Sequence, residues 1–283
     1  MLRKCTRQEF ERYAEAVYAI ARDPARSGYP TYCDGIKTKE MFLERAERAF
    51  SEASEELLLF TYEGEVEGWI HCYCLPEDRY LSTEGFYVAR HTEQALREFL
   101  AYAQAHYRGF ELYLGFPEDN RRAVDFLESN GFALLEKSCN HTAFLRAYAP
   151  VPVEDDIVRV TRENFTAFRA LHDEYEMYWN ADRLYADIEH WVIFARMQNG
   201  EALGSVYYTA AGEGWFEIFG VDRRDGAHAA ETFRALLGKA LNAAKEQGGR
   251  YMTFFCEPED QAVAQALGFA RVGTYLCYRK RME

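Results

Sequence analysis

The stretch that decides the fold is Asn120-Arg-Arg-Ala-Val-Asp-Phe-Leu-Glu-Ser-Asn-Gly-Phe132, which follows Phe110-Glu-Leu-Tyr-Leu-Gly-Phe-Pro-Glu-Asp119. The apolar run over residues 110–116 predicts a strand, and the proline after it predicts a turn. The spacing of apolar residues then predicts a helix from about 120 to 130. The same order returns in Tyr251-Met-Thr-Phe-Phe-Cys-Glu-Pro-Glu-Asp260 and in Leu267-Gly268-Phe269. The chain therefore contains this unit twice.

Other segments repeat in the same order in the two halves. The matched pairs are residues 2–10 with 157–165, 65–70 with 200–206, 84–88 with 217–221, and the helical stripes 96–107 with 233–244. In the first pair, each copy predicts a short strand, a threonine N-cap (Thr6 or Thr161) and a helix. Thr6 with Glu9 has the spacing of a capping box. An ordered series of repeats indicates a duplicated domain.

The domain boundaries follow from these repeats. We predict domains at 1–148 and 157–283, joined by a linker at 149–156 that contains two prolines and three consecutive acidic residues. Each half alternates strands and helices, with one parallel stretch around its long helix. The sequence predicts an α+β fold of two tandem domains, each a mixed, mostly antiparallel sheet flanked by helices.

Composition excludes several classes of protein. The chain has 283 residues and a net charge of −13. No run approaches the roughly 18 apolar residues of a spanning helix, and the start of the chain has no apolar leader-like region, so we expect a cytoplasmic protein without a membrane partner. The acidic balance disfavours nucleic acid. The seven scattered cysteines and the histidine spacings predict no metal site.

Taken together, the strand, the Pro-Glu-Asp-Asn turn, the helix and the Asn-Gly-Phe ending resemble the GNAT superfamily of N-acetyltransferases. The resemblance covers essentially the whole chain as two copies. It implies acetyl-CoA as the acyl donor and an amine as the acceptor. It also implies that the fourth and fifth strands part around the pantetheine chain, and that the pyrophosphate lies on N–H groups at the start of the long helix, a place that favours anions.

The resemblance implies a donor site in the second half more than in the first. The family's loop of basic and small residues is partly kept there, where it predicts the donor contacts Phe219, Gly220, Val221, Arg223, Arg224, Gly226, Ala227, His228 and Ala229. The first half has Arg90-His-Thr-Glu93 in that place, without glycine and with an acid that would repel phosphate.

Catalysis needs a base, because an alkylammonium is mostly protonated at neutral pH. The resemblance implies a carboxylate on the fourth strand, and Glu217 and Glu84 are the candidates. A structural ion pair or a solvated edge position is the alternative for both. Where many family members carry a general-acid tyrosine, this chain has Leu127 and Ala264; Tyr275 and Tyr278 are conceivable substitutes.

The acceptor side is predicted only in outline. Acidic and aromatic residues over 173–189 suit a cationic acceptor, or else form a solvated helix face. In the first half, the corresponding loop Gly28-Tyr-Pro-Thr-Tyr32 is either a lid or a connector. The sequence thus predicts an acetyl-CoA-dependent N-acetyltransferase acting on an amine of a small molecule or peptide, as a monomer or homodimer. The alternative is a non-catalytic acyl-CoA-binding or protein-interaction module on the same scaffold.

Overall fold

In the computed structural model, the chain divides into two compact units. Unit 1 comprises Met1–Ser138 and Gly273–Glu283, and unit 2 comprises Cys139–Val272. The structure describes residues 1–28, 32–173, 178–226 and 228–283.

Unit 1 is a sheet with helices on both faces. Its strands lie in the order β1-β2-β3-β4-β5-β12. The strands are β1 (Leu2–Lys4), β2 (Glu55–Tyr62), β3 (Glu65–Leu75), β4 (Tyr80–Val88), β5 (Glu111–Pro117) and β12 (Phe269–Arg281), and the helices are α1 (Arg7–Ala21), α2 (Lys39–Glu47), α3 (Thr92–His106) and α4 (Arg121–Ser129). One core lies under α3 and α4 and contains Leu96, Phe99 and Phe126. The other lies under α1 and α2.

Unit 2 repeats this plan. Its strands lie in the order β6-β11-β10-β9-β8-β7. The strands are β6 (Ala133–Phe144), β7 (Ile157–Arg159), β8 (Val192–Gln198), β9 (Glu201–Gly212), β10 (Trp215–Arg223) and β11 (Tyr251–Cys256), and the helices are α5 (Phe165–His172), α6 (Ala181–Ala186), α7 (Ala229–Glu246) and α8 (Gln261–Ala266). The predicted α+β fold of two mixed, mostly antiparallel domains is confirmed.

The last strand of each copy crosses the unit boundary, since β6 belongs to unit 2 from Cys139 onward and β12 belongs to unit 1 from Gly273 onward. β12 runs antiparallel to β5, from Tyr275 opposite Pro117 to Arg281 opposite Glu111. The second part of β6 runs antiparallel to β11, with Cys139 opposite Cys256. The units consequently differ from the predicted division at 148 and 157, because the two final strands are exchanged.

The segment predicted as a linker, 149–156, packs within unit 2. The side chain of Asn242 on α7 accepts from the Val151 N–H and donates to the Val151 carbonyl. The Arg196 guanidinium forms ion pairs with Glu154 and Asp156, the latter at 2.8 Å. The acidic residues thus hold the start of β7 against β8.

The two first helices begin differently. Thr6 and Glu9 form the predicted capping box at α1. Thr161 does not cap α5, which begins at Phe165 after Asn164. The Asn164 side chain instead accepts from the Thr161 N–H at 2.7 Å and donates to the Arg159 carbonyl. These bonds form a turn over residues 159–164, so the helix begins only at Phe165.

Candidate active site

In each unit the two parallel strands part after a short paired stretch. β4 and β5 are in register only from Tyr80 opposite Glu111 to Ser82 opposite Tyr113. β10 and β11 are in register from Trp215 opposite Tyr251 to Ile218 opposite Phe254. Beyond these points the strands diverge, and the N-terminus of the following long helix lies at the end of the first strand. Each unit therefore has a cleft beside the positive end of a helix dipole.

A bulge marks the point of divergence in both units. Between β3 and β4 the register shifts so that Glu84 has no cross-strand partner. Between β9 and β10 the same shift leaves Phe219 without one. Because the bulges correspond, Glu84 is the structural equivalent of Phe219, and Glu217 is the equivalent of Ser82. The sequence match of Glu84 with Glu217 is two residues out of structural register, because repeated letters do not reveal which residue is bulged.

Three basic side chains lie at the start of α7 in unit 2, and each of them contacts an acid. Arg223 at the end of β10 donates to Asp260 at 2.6 Å, across the mouth of the cleft. Arg224 donates to Glu201 at 2.9 Å. His228 is the residue before α7, and its Nδ1 lies 3.2 Å from Glu231. The three basic residues predicted to bind the donor phosphates therefore lie at this helix end, each beside a carboxylate.

The loop backbone leaves room for close approach. Gly226 has φ +142°, and a Cβ there would meet nothing within 4 Å. At Gly220 there is no such space, because a Cβ would lie 2.2 Å from the Tyr207 hydroxyl. Only glycine leaves room for the Tyr207 ring over this position of the strand. Val221 packs against the core under α7, and Ala229 is the first residue of that helix. Ala227, also predicted as a donor contact, lies outside the described residues.

Glu217 lies on the face of β10 that looks toward α5 and α6. Its neighbours Phe216 and Ile218 pack under α7, and side chains alternate along a strand. Its cross-strand neighbours are Thr209 and Thr253. The Thr209 hydroxyl donates to the His190 carbonyl at 2.7 Å. Glu217 is half-buried and lies one residue before the last paired position of β10 and β11.

Aromatic rings form a wall next to Glu217. The exposed ring of Phe219 meets Trp191 edge-on at a centroid distance of 5.1 Å and Trp179 at 6.1 Å. Trp191 and Trp179 contact each other at 5.1 Å. Such faces attract organic cations. We name these three residues the aromatic wall.

Three of the acidic residues predicted for acceptor binding form surface ion pairs. Asp182 accepts from Arg169 at 2.6 Å, and Glu189 lies 3.5 Å from Arg162. Asp187 pairs with His190 and is half exposed. The structure favours the solvated-face interpretation for these three. Glu174, Tyr175 and Glu176 lie outside the described residues.

A buried ion pair that the sequence did not predict joins α5 to the end of β10. His172 Nδ1 lies 2.7 Å from the Asp222 carboxylate, and its Nε2 lies 2.7 Å from the Trp179 carbonyl. Ser205 also donates to Asp222, at 2.9 Å. Because both ring nitrogens face acceptors, these contacts favour the doubly protonated imidazolium. Burial alone would lower the pKa of His172, but the Asp222 carboxylate reverses this and raises it. The sequence signal was Asp222, directly after the uncharged run 218–221 of β10.

In unit 1, Glu84 is held by an arginine. Arg45 of α2 donates to both carboxylate oxygens of Glu84, one contact being 2.8 Å. Nearby, the buried Glu55 carboxylate accepts from His71 at 2.8 Å and pairs with Arg48. The structural ion-pair alternative therefore fits Glu84 better than the role of a base.

The candidate general acids are placed as follows. Leu127 and Ala264 are fully buried. Tyr275 and Tyr278 are part of unit 1, since β12 is exchanged. Tyr278 is buried and donates to Glu128 at 2.9 Å. Burial and this carboxylate raise the pKa of Tyr278, which makes it a poor proton donor.

Two further findings concern the described part of the chain. None of its helices combines the length and the apolar character that crossing a membrane requires. Within the same residues, no group of three or more His, Cys, Asp or Glu side chains is placed to hold a metal ion.

Comparison with known proteins supports the fold. No family model matches the chain, and no curated protein matches its sequence. Among solved structures, it is similar over 100% of its length to a GCN5-related N-acetyltransferase from Sphaerobacter thermophilus, with a TM-score of 0.64, 15% identity and 96% of that chain covered. A tandem GNAT protein from the clavulanic acid biosynthesis pathway matches at 0.56, with 13% identity, 100% of this chain and 98% of the other.

A third neighbour is the glucosamine N-acetyltransferase region of a fungal multi-domain GH3 β-N-acetylglucosaminidase. It matches with a TM-score of 0.60 and 11% identity, over 99% of this chain and 38% of that one. At these identities the likeness concerns the fold. The chain has a duplicated GNAT fold, as its sequence predicts.

Proposed function

We propose that the chain is an acetyl-CoA-dependent N-acetyltransferase whose donor site is the cleft of unit 2. The observation that carries this is the parting of β10 and β11 after Ile218, beside the start of α7 and with Glu217 on the adjoining face. Arg223, Arg224 and His228 would hold the phosphates together with the N–H groups of the first turn. The open position at Gly226 fits a close approach of the donor.

The acyl group arrives as a thioester, which is activated for attack by an amine. Glu217 takes a proton from the ammonium of the acceptor, directly or through water. The neutral nitrogen then forms the C–N bond as the C–S bond breaks. The nitrogen gives its surplus proton to solvent as the amide forms, and the departing thiolate takes a proton from water, because Ala264 cannot supply one. The aromatic wall would hold the acceptor cation before it loses that proton.

The acceptor class is a primary amine of a small molecule or peptide. The aromatic wall supports a cationic acceptor, and the glucosamine N-acetyltransferase neighbour gives a precedent for a small amine on this fold. A cytoplasmic location and a monomeric or homodimeric state remain part of the proposal. The buried apolar residue Ala264 favours a second candidate, an acyl-CoA-binding module without turnover.

Thiol release with acetyl-CoA and a panel of small amines and peptides tests the proposal. Glu217→Gln should lower kcat/KM at pH 7 by about 10²–10³-fold. It should also steepen the rise of rate with pH, since only free amine then reacts. Glu213→Gln, a fully exposed acid in the preceding turn, is the matched control. Donor binding without turnover on any acceptor would support the binding module instead.

A further inference from the structure

In unit 1, the segment after α1 packs against β4 at Phe86, beyond the stretch in which β4 pairs with β5. A Cβ placed on Gly28 would lie 3.0 Å from both the backbone nitrogen and the Cβ of Phe86. Ser27 is fully buried. Its carbonyl accepts a hydrogen bond from the Asn120 side chain at 3.0 Å. Ser27 and Gly28 thus contact β4 on one side and Asn120, the N-cap residue of α4, on the other.

These contacts fall where the two parallel strands have separated. β4 and β5 stop pairing at Ser82 and Tyr113. Phe86 lies four residues beyond that point on one strand. Asn120 lies just after the end of the other strand and caps α4 by accepting from the Ala123 N–H. The chain's own backbone therefore bridges the cleft of unit 1.

A carboxylate lies at the helix end of the same cleft. Glu67 is 3% exposed. It accepts from the backbone N–H of His91 at 3.0 Å and from that residue's ring at 2.9 Å. Its other oxygen lies 2.8 Å from Arg90. Because His91 is the residue before α3, Glu67 holds the position that an anion takes at a helix N-terminus.

Unit 2 has different residues at both places. Gly68 lies opposite Val88 and Gly204 lies opposite Arg223, so Leu203 stands where unit 1 has Glu67. The residue before α8 is Asp260, where unit 1 has Asn120 before α4. Leucine has no charge to offer a helix end, and an Asp carboxylate cannot donate to a carbonyl. The two features of unit 1 are therefore absent from the equivalent positions of unit 2.

We propose that the cleft of unit 1 is closed by the chain itself. Ser27 and Gly28 bridge the separated strands, and Glu67 serves as a built-in anion at α3. Unit 1 then takes no acyl-CoA, and each chain binds a single donor. The closure follows from contacts within unit 1, whereas the single donor rests on the proposed function of unit 2.

Hydrogen exchange read by mass spectrometry on the full chain tests the closure without any ligand. Asn120→Asp copies unit 2, keeps the cap acceptor and removes the donor to Ser27. Fragments covering 22–28 and 84–88 should exchange about tenfold faster, the usual effect of losing a buried hydrogen bond. Asp119→Asn, at the exposed neighbouring position, should match the wild type. Unchanged exchange in Asn120→Asp would overturn the closure.

Glu67→Gln gives an independent reading, because it removes the charge and keeps the shape. Exchange over 91–94 should rise, whereas Glu65→Gln on the exposed part of β3 should leave it unchanged. Equal exchange in the two variants would overturn the role of Glu67.

Acetyl-CoA is then added to the wild type. Slower exchange over 217–226 with no change over 84–91 supports a single donor, and slower exchange over 84–91 overturns it. Protection of neither segment refutes the proposed function, while the Asn120→Asp result still judges the closure.

Discussion

Replacement of Asp222 by alanine should destabilise the protein strongly. The carboxylate accepts from His172 at 2.7 Å and from Ser205 at 2.9 Å. The two side chains of the ion pair are 4% and 0% exposed. Removing one member of such a pair leaves an unpaired buried charge and costs about 3–5 kcal/mol. For a chain of this size, that lowers Tm by roughly 10 °C.

The effect should depend on pH in a defined direction. The folded-state pKa of His172 is raised. The stabilisation is therefore fully present below the unfolded histidine pKa of about 6.5 and is lost as pH rises through the folded value. The difference in stability between the wild type and Asp222→Ala should be largest at pH 5–6 and should narrow at higher pH.

Calorimetric unfolding over pH 5–9 measures both effects. Asp225→Ala, at an exposed position three residues on, is the control and should stay within about 0.5 kcal/mol of the wild type. A loss below about 1 kcal/mol for Asp222→Ala, or a gap that widens with pH, would refute the imidazolium–carboxylate assignment.

Two further substitutions test the cleft and the sheet. Arg223→Ala should weaken acetyl-CoA binding, measured by calorimetry, about tenfold, as expected for the loss of one charged contact. Arg234→Ala, on the exposed face of α7, is the control and should bind with the affinity of the wild type. Equal affinities of the two variants would show that Arg223 is not part of the donor site. Gly68→Ala should cost more than 3 kcal/mol in urea unfolding, because its Cβ would lie 1.8 Å from a carbonyl oxygen of the facing strand at φ +151°. Gly109→Ala, with open space around it at φ +83°, should cost about 1–2 kcal/mol, and a similar cost at the two sites would contradict the packing described for Gly68.

The duplication and the fold class are readable from the sequence because both depend on local signals that occur twice. The helix periodicities, the Thr6 capping box and the Pro-Glu-Asp turns each act over a few residues. The exchange of β6 and β12 is not readable in this way. Both strands begin at a Gly-Phe pair or directly after it, so their sequences do not distinguish pairing with β5 from pairing with β11, and tertiary packing decides between them.

The candidate site could be predicted by region but not by register. Aligned on their bulges, Glu84 corresponds to Phe219, so the sequence match of Glu84 with Glu217 paired two carboxylates that are two residues out of register. Glu67 was visible as an acid beside Gly68 in a strand that turns apolar, but its contact with His91 joins residues 24 positions apart. Long-range contacts of this kind leave no periodic trace in the sequence.

Titration calorimetry with acetyl-CoA tests most directly whether each chain binds one donor, in the cleft of unit 2. We expect one equivalent of acetyl-CoA bound per chain. Arg223→Ala should bind it with lower affinity, and Glu67→Gln should bind the same number of equivalents as the wild type. No binding at millimolar acetyl-CoA, or two equivalents per chain, would contradict it.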